Sequence, residues 1–205
     1  MMKEKKVIYY SSGEQFETDQ FGYELWEMIQ KVKVRTGKSS VLFLCIGSDR
    51  STGDSLGPLT GYLLKNEKMF TGNTNAIVVG TLTLPVHAVN LESVLQVIEE
   101  DFPEYIIIAI DASIGSRDSV GCITLAEGGL KPGCGVNKDL RKVGDISITG
   151  IVSWGSRLEP VLLQNIRLGM VMNMADCIYQ GIMKAMFFQC SSMHQIRQHE
   201  VQLEG

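Results

Sequence analysis

Hydrophobic residues run almost unbroken through two short segments of the chain, residues 41–46 and 105–110. Runs of this kind predict strands that are buried on both faces, as in the centre of a parallel sheet. Each run leads into an aspartate within a glycine-flanked loop: Asp54 comes after the first run, and Asp111 directly follows the second. Because ligands and chemistry collect beyond the carboxyl ends of strands in open α/β sheets, the pattern predicts an active edge that carries both aspartates.

Strand-like and helix-like segments alternate along most of the chain. The predicted strands are residues 7–10, 41–46, 76–79, 105–110, 121–126 and 145–152. The predicted helices are residues 21–34, residues 56–66, a segment that ends near Glu100, and a long helix from about Pro160. This alternation predicts an α/β fold, a three-layer α/β/α sandwich around a twisted and mostly parallel sheet. Residues 112–152 hold two strands with no helix between them, so we expect a mixed sheet that is partly antiparallel.

Composition narrows the class of protein. With 205 residues and 44% hydrophobic content, one domain over residues 1–205 can bury a proper core. Residues 1–40 would form an N-terminal strand and helix extension, and residues 190–205 a polar tail. The net charge of −4 and the lack of an extended basic run predict no nucleic-acid partner.

The remaining sequence features point to the cytoplasm. Five cysteines, an odd number without a Cys-x-x-Cys pair, are typical of a reducing compartment, and no signal-peptide core follows the N-terminal residues. Residues 161–188 are apolar enough to suggest a membrane span, but four polar residues recur three or four apart and form one stripe on a helix. They are Asn173, Asp176, Gln180 and Lys184. We therefore expect a buried helix and no membrane partner.

The two aspartates are the leading candidates for chemistry. Each one alone also suits a structural role, Asp54 as a helix N-cap and Asp111 as a turn residue. Together, at the ends of neighbouring strands, they favour a functional pair, in which one pKa rises and an acid lies beside a base. The same two carboxylates could instead hold a metal ion through their oxygens.

Two further residues could take part. His87 follows the third predicted strand on the same edge, where it could be a base, a metal ligand or a loop histidine that is hydrogen-bonded to the backbone. The glycine-rich segment from Glu127 to Lys138 lacks the order of a Walker phosphate loop and predicts a close-approach loop that forms a substrate wall. Cys134 within this segment could be a nucleophile that pairs with His87.

Three motifs in this order carry a resemblance to a known family. They are Thr52-Gly-Asp54-Ser-Leu-Gly-Pro58, Ala109-Ile-Asp111-Ala, and Pro132-Gly-Cys-Gly-Val-Asn-Lys138 followed by Asp145-Ile-Ser147. They resemble the spore germination protease family, and the chain looks most similar to its shorter YyaC-type sporulation relatives. The resemblance implies the fold of the hydrogenase maturation proteases and aspartate-dependent hydrolysis of peptide bonds. It also implies small acid-soluble spore proteins as the protein partners, in the cytoplasm of the sporulating cell or forespore.

The resemblance also assigns site residues. Asp54 and Asp111 stand at the family's two essential aspartates. From their positions at the predicted sheet edge and in the glycine-rich segment, the residues expected to contact the substrate are His87, Gly133, Cys134, Gly135, Asn137 and Lys138. Cys134 replaces a serine of the family loop, which counts against a required nucleophile there. The hydrogenase maturation proteases use acidic residues at the two aspartate positions, with a later histidine, as nickel ligands. No histidine lies between His87 and His194, so we expect no metal and no cofactor.

Two alternatives stay open from the sequence. The first is a metal-assisted peptidase of the hydrogenase-maturation type, with Asp54, Asp111 and His87 as ligands. The second is a binding protein that keeps the fold without catalysis. The sequence also leaves open whether the chain forms a homo-oligomer.

Overall fold

The computed structural model describes residues 7–70, 75–132, 141–155 and 166–203, with side chains described through residue 190. Within these residues one sheet contains six strands. They are β1 (Val7–Ser11), β2 (Ser40–Cys45), β3 (Ala76–Val79), β4 (Tyr105–Gly115), β5 (Cys122–Glu127) and β6 (Ile146–Trp154). The order across the sheet is β1-β5-β6-β4-β2-β3. Strands β6, β4, β2 and β3 run parallel, whereas β5 and β1 are antiparallel to their neighbours, so the predicted mixed sheet is confirmed.

Helices cover both faces of the sheet. They are α1 (Thr18–Thr36), α2 (Leu56–Lys65), α3 (Leu91–Asp101) and α4 (Leu168–Leu203), with short 3-10 turns at Thr52–Ser55, Lys68–Phe70 and Arg117–Ser119. Alternate side chains of β2 enter different cores, because successive residues of a strand point to opposite faces. Phe43 and Cys45 pack in the cluster that holds α1, α2 and α4, whereas Leu42 and Leu44 pack against α3. The predicted three-layer α/β/α sandwich is confirmed.

The first helix is longer than its hydrophobic pattern predicted. It begins at Thr18 and ends at Thr36, where Gly37 has a φ of 76° and its N–H donates to the Lys33 carbonyl at 2.9 Å. A left-handed glycine is the usual end of a helix, since it carries no Cβ penalty. The expected inward residues Leu25, Ile29 and Val32 are fully buried, and Trp26 packs against the same core from a half-buried position.

Strand β4 corrects the interpretation of Asp111 as a residue that leaves the sheet. The strand continues through Asp111 to Gly115 and pairs with β6 along this stretch. Ala112 is buried, and Ile114 packs against the core of α1, α2 and α4. Since side chains alternate along a strand, Asp111 points to the opposite face of the sheet. The apolar run ends at Ile110 because beyond Ala109 the other face of the strand no longer packs in the apolar cluster around α3.

The long C-terminal helix begins at Leu168, and Ile166 and Arg167 before it are not helical, so the predicted continuous helix from about Pro160 is wrong. The helix continues to Leu203, so the expected tail is helical through that residue. The polar stripe makes contacts at the surface, where Gln180 donates to Asp176 at 2.7 Å and Lys184 pairs with Asp19 at 2.8 Å. None of the helices in the described residues is long and apolar enough to cross a membrane.

Candidate active site

The segment that follows β2 folds back closely against the end of that strand. This close contact fixes the position of Asp54. Gly47 has a φ of 137°, a conformation that side chains disfavour, and a Cβ there would lie 2.0 Å from the Asp54 carbonyl oxygen. The Ser48 N–H donates to that same carbonyl at 3.0 Å. At the start of α2, a Cβ on Gly57 would lie 2.0 Å from the Ile46 carbonyl oxygen. Glycine at these positions therefore lets the turn that contains Asp54 sit directly on the end of β2.

Asp54 is not a helix cap. It lies inside the 3-10 turn Thr52–Ser55, and the N-cap residue of α2 is Ser55, without a side-chain capping bond. Burial raises the pKa of the Asp54 carboxyl above its ordinary value, and the Ser48 backbone N–H and the His87 imidazole partly oppose this rise. A carboxyl that is not needed as a cap and that holds its proton to higher pH is suited to acid chemistry.

Asp111 is the more buried of the two aspartates. Its residue is 4% exposed, and its Oδ1 accepts the Ala112 N–H at 2.8 Å. In the sheet it is aligned with Thr149 of the neighbouring strand β6. A buried carboxyl with polar neighbours is held in a fixed orientation, as a catalytic group requires.

Both aspartates lie beside the carboxyl end of β2, Asp54 in the turn that follows this strand and Asp111 within the adjacent strand β4. The Ile46 N–H donates to the Ile110 carbonyl at 2.8 Å, so the end of β2 is level with Asp111. The turn Thr52–Ser55 contacts β4 itself. Neighbouring strands lie about 5 Å apart, and this spacing underlies our prediction that the two carboxyl groups come within about 10 Å of each other.

His87 reaches the same edge from β3. The Gly47 N–H donates to the Val86 carbonyl at 2.8 Å, which ties the segment before His87 to the end of β2. The His87 N–H donates to Asn90 Oδ1 at 2.8 Å, and its ring Nδ1 accepts the Val89 N–H at 3.3 Å. The backbone-bonded loop histidine is confirmed. Among the described residues its Nε2 has no hydrogen-bond partner, so that nitrogen can face a substrate or a water.

Three hydroxyl groups near the aspartates were missed by sequence reasoning. Thr149 is the register partner of Asp111, and its hydroxyl oxygen lies 2.6 Å from the hydroxyl oxygen of Thr124. Ser51, at the start of the 3-10 turn, has a buried hydroxyl without a hydrogen-bond partner in the described structure. The polar residues among apolar ones in β6 were a signal for Thr149, but nothing local could show that it aligns with Asp111.

The remaining predicted substrate residues cannot be placed. Gly133, Cys134, Gly135, Asn137 and Lys138 lie outside the described residues, so their contact with the substrate stays a prediction. In the part of the chain that is described, no three His, Cys, Asp or Glu side chains form a group that could hold a metal ion.

Comparison with known proteins gives the family. The chain belongs to the DUF1256 family, described as a protein of unknown function, whose sequence profile matches residues 9–181. It is 46% identical over 142 residues to the uncharacterized protein YyaC of Bacillus subtilis (strain 168), and this match covers 69% of the chain and 67% of that protein. The predicted relationship to YyaC-type proteins is thereby confirmed.

A solved structure was also matched. It is the crystal structure of a [NiFe] hydrogenase maturation protease, HycI, from Thermococcus kodakarensis KOD1, at 16% identity and a TM-score of 0.39. The match covers 75% of this chain and 97% of that one. At this level of similarity the match says nothing about activity, and the three-layer architecture stands on the strand order and cores of the chain itself.

Proposed function

We propose that the chain is an aspartate-dependent endopeptidase in which Asp54 and Asp111 act as an acid/base pair around one water. One observation carries the proposal: half-buried Asp54 and buried Asp111 lie beside the carboxyl end of β2 at one edge of the sheet, and Asp54 is free of a capping role. Strand ends of this kind are where α/β proteins place their chemistry.

The raised pKa of Asp54 supports a division of roles. The ionised carboxylate of the pair takes a proton from water, and the resulting hydroxide attacks the peptide carbonyl carbon. The protonated carboxyl then gives its proton to the leaving amine as the C–N bond breaks, so protons balance over one turnover. Burial raises the pKa of Asp54 and Asp111 is the more buried residue of the two, so either carboxyl can be the partner that starts protonated. His87 Nε2 would hydrogen-bond to the substrate at the same edge.

The substrate that we propose follows from the motif resemblance. Small acid-soluble spore proteins are the protein class toward which the three motifs point, and the forespore cytoplasm is the corresponding place of action. This substrate class depends on the motifs and not on a charge or cavity of the described structure, so a separate experiment tests it.

That experiment incubates the purified chain with a small acid-soluble spore protein and follows cleavage by mass spectrometry. Asp54→Asn and Asp111→Asn keep the size of the side chain but remove its titrating proton, so each should lower the rate by about a hundredfold or more. The matched control is Asp49→Asn, an exposed residue of the same loop, which should cleave like the wild type. Full activity in both Asn variants would show that the chemistry lies elsewhere, whereas binding without cleavage by the wild type would favour a binding protein.

A second candidate function is metal-assisted hydrolysis. It is favoured by the electrostatic influence of His87 on Asp54, together with the unpartnered His87 Nε2 within the described structure. Carboxylates alone hold nickel or zinc poorly, because these ions favour imidazole and thiolate ligands. We therefore predict no tightly held transition metal. Stoichiometric nickel or zinc in the purified chain that disappears in His87→Ala would replace the first candidate with the second.

A further inference from the structure

A cleft of about 620 Å³ runs along the edge of the sheet beside His87. Its wall includes Val78 and Val79, which are consecutive residues of β3 and therefore point to opposite faces of the sheet. Lys65 at the end of α2 lines it from one helix layer, and Val94 of α3 lines it from the other. A cleft with such walls lies in the plane of the sheet, between the two helix layers, where a further strand would lie.

The backbone of β3 presents hydrogen-bonding groups to this cleft. The Val41 N–H of β2 donates to the Asn75 carbonyl at 2.8 Å, and Val41 is aligned with Ala76. In a parallel pair, residues point alternately toward and away from the neighbouring strand. Asn75, Ile77 and Val79 therefore face β2, whereas the N–H and C=O of Val78 face the other way. Among the described strands β3 pairs with β2 alone, so the Val78 groups face the cleft.

The cleft is apolar with a positive character. Aliphatic side chains and backbone form most of its wall, and Leu84, which is 78% exposed, forms part of its rim. The ionisable groups among its lining residues are Lys65 and His87, and no acidic residue is among them. Lys65 has no ion-pair partner in the described part of the chain, so its ammonium group is available to a ligand carboxylate.

We propose that this cleft binds an extended peptide that adds to β3 as a further strand, with aliphatic side chains in the cleft and an acidic group near Lys65. Added strands are held by main-chain hydrogen bonds, and pockets for alternate side chains give the specificity. The edge of β3 supplies the main-chain hydrogen-bonding groups, and the apolar walls supply the side-chain pockets. The acidic group complements the positive lining.

The inference rests on the proposed function in one respect, since the bound peptide is taken to be the substrate. Strand β3 ends at Val79, and the segment from Gly80 to His87 continues the wall of the cleft. The His87 imidazole interacts electrostatically with Asp54. A peptide that lies along β3 is therefore directed at the edge that carries the two aspartates. The cleft thus defines the substrate class as an extended, aliphatic and acidic segment.

The test measures binding separately from cleavage. The probe is a fluorescein-labelled, capped hexapeptide with the sequence Glu-Leu-Thr-Leu-Thr-Glu, and binding to full-length Asp54→Asn protein is followed by fluorescence polarisation. We expect Leu84→Ala and Lys65→Gln each to weaken binding by about tenfold. The matched controls are Val89→Ala, which is 84% exposed but not part of the lining, and Lys142→Gln, an exposed lysine that is also outside the lining. Both controls should bind like the parent.

A change in the peptide itself tests the main-chain bonds without any risk to the fold. Two versions of the hexapeptide carry N-methyl groups on alternate amides, one on the odd-numbered and one on the even-numbered amides. One of the two versions should lose at least tenfold in affinity, because its methyl groups block the amides that bond to β3. The inference would be overturned if the parent and both methylated peptides bound with equal affinity, or if all protein variants bound equally. It would also be overturned if sedimentation showed a dimer that pairs through β3 and excludes the peptide. If the wild type bound the peptide without cleaving it, the proposed peptidase activity would be refuted and the cleft assignment would stand. If cleavage were unaffected by Leu84→Ala and Lys65→Gln, the cleft assignment would be refuted and the peptidase activity would stand.

Discussion

Replacing Gly57 with alanine is expected to destabilise the protein, although helix propensity alone predicts the opposite. Gly57 is the second residue of α2, and alanine favours a helix over glycine by up to about 1 kcal/mol. The added Cβ, however, would lie 2.0 Å from the Ile46 carbonyl oxygen and 2.7 Å from the Ile46 nitrogen. These are backbone atoms at the end of β2, and the Ile46 N–H bonds to β4, so they cannot rotate away.

The size of the effect follows from this contact. Ordinary contact begins at 3.4 Å, so α2 and the attached 3-10 turn must withdraw by about 1.4 Å. Overpacking of a well-packed site costs about 1–3 kcal/mol, which for a chain of this size lowers the melting temperature by about 2–12 °C. Because Asp54 belongs to the displaced turn, the proposed cleavage should also fall, by about a hundredfold for a displacement near 1 Å.

Thermal unfolding followed by circular dichroism measures the effect. The matched control is Gly169→Ala, since Gly169 is the second residue of α4 and an added Cβ there meets nothing within 4 Å. The control should leave the melting temperature unchanged or raise it by a few degrees, about 4 °C at most. If Gly57→Ala melted as high as the control, the close approach of α2 to the end of β2 would be wrong, and with it the placement of Asp54.

Two further predictions concern titrating groups. Because burial raises the pKa of Asp54 in the folded state, its ionisation lowers stability as pH rises above the ordinary value of about 4, so Asp54→Asn should raise the melting temperature at pH 7. The gain should vanish below about pH 4, and the exposed Asp49→Asn should show none; a gain independent of pH would contradict this reasoning. Burial also raises the pKa of the Cys45 thiol, so iodoacetamide should label exposed Cys190 in the native protein and Cys45 after unfolding, as mapped by mass spectrometry. Equal labelling rates would contradict a buried β2.

The sheet was largely predictable because its strands are marked by local pattern. Strand β3 occupies the predicted residues, Ala76–Val79, and β2 begins one residue earlier than predicted. The extension of β4 was missed because continuous hydrophobicity ends at Ile110. Beyond it the sequence Asp-Ala-Ser-Ile-Gly alternates polar and apolar residues, which is the pattern of a strand with one covered face. The signal was present, but the chemical interest of Asp111 favoured a loop.

The position of the candidate residues was predictable to the level of the sheet edge, and their roles stay a prediction. The rule that strand ends collect chemistry placed Asp54, Asp111 and His87 together, and the structure brings all three to one edge. The alignment of Thr149 with Asp111 depends on β6 being the neighbour of β4, which is a long-range pairing that no local pattern encodes. The 3-10 turn at Asp54 likewise depends on how closely α2 approaches Ile46, a packing property of the folded chain.

The most direct test of the central claim is a carbon-13 NMR titration of the Asp54 carboxyl in the wild type and in Asp111→Asn. If the two aspartates form an acid/base pair, Asp54 titrates above the ordinary pKa in the wild type. Its pKa then falls when Asp111 becomes neutral, because a like charge nearby is removed. An Asp54 carboxyl that titrates at the ordinary value, or at the same pH in both proteins, would show that the two aspartates do not act as a pair.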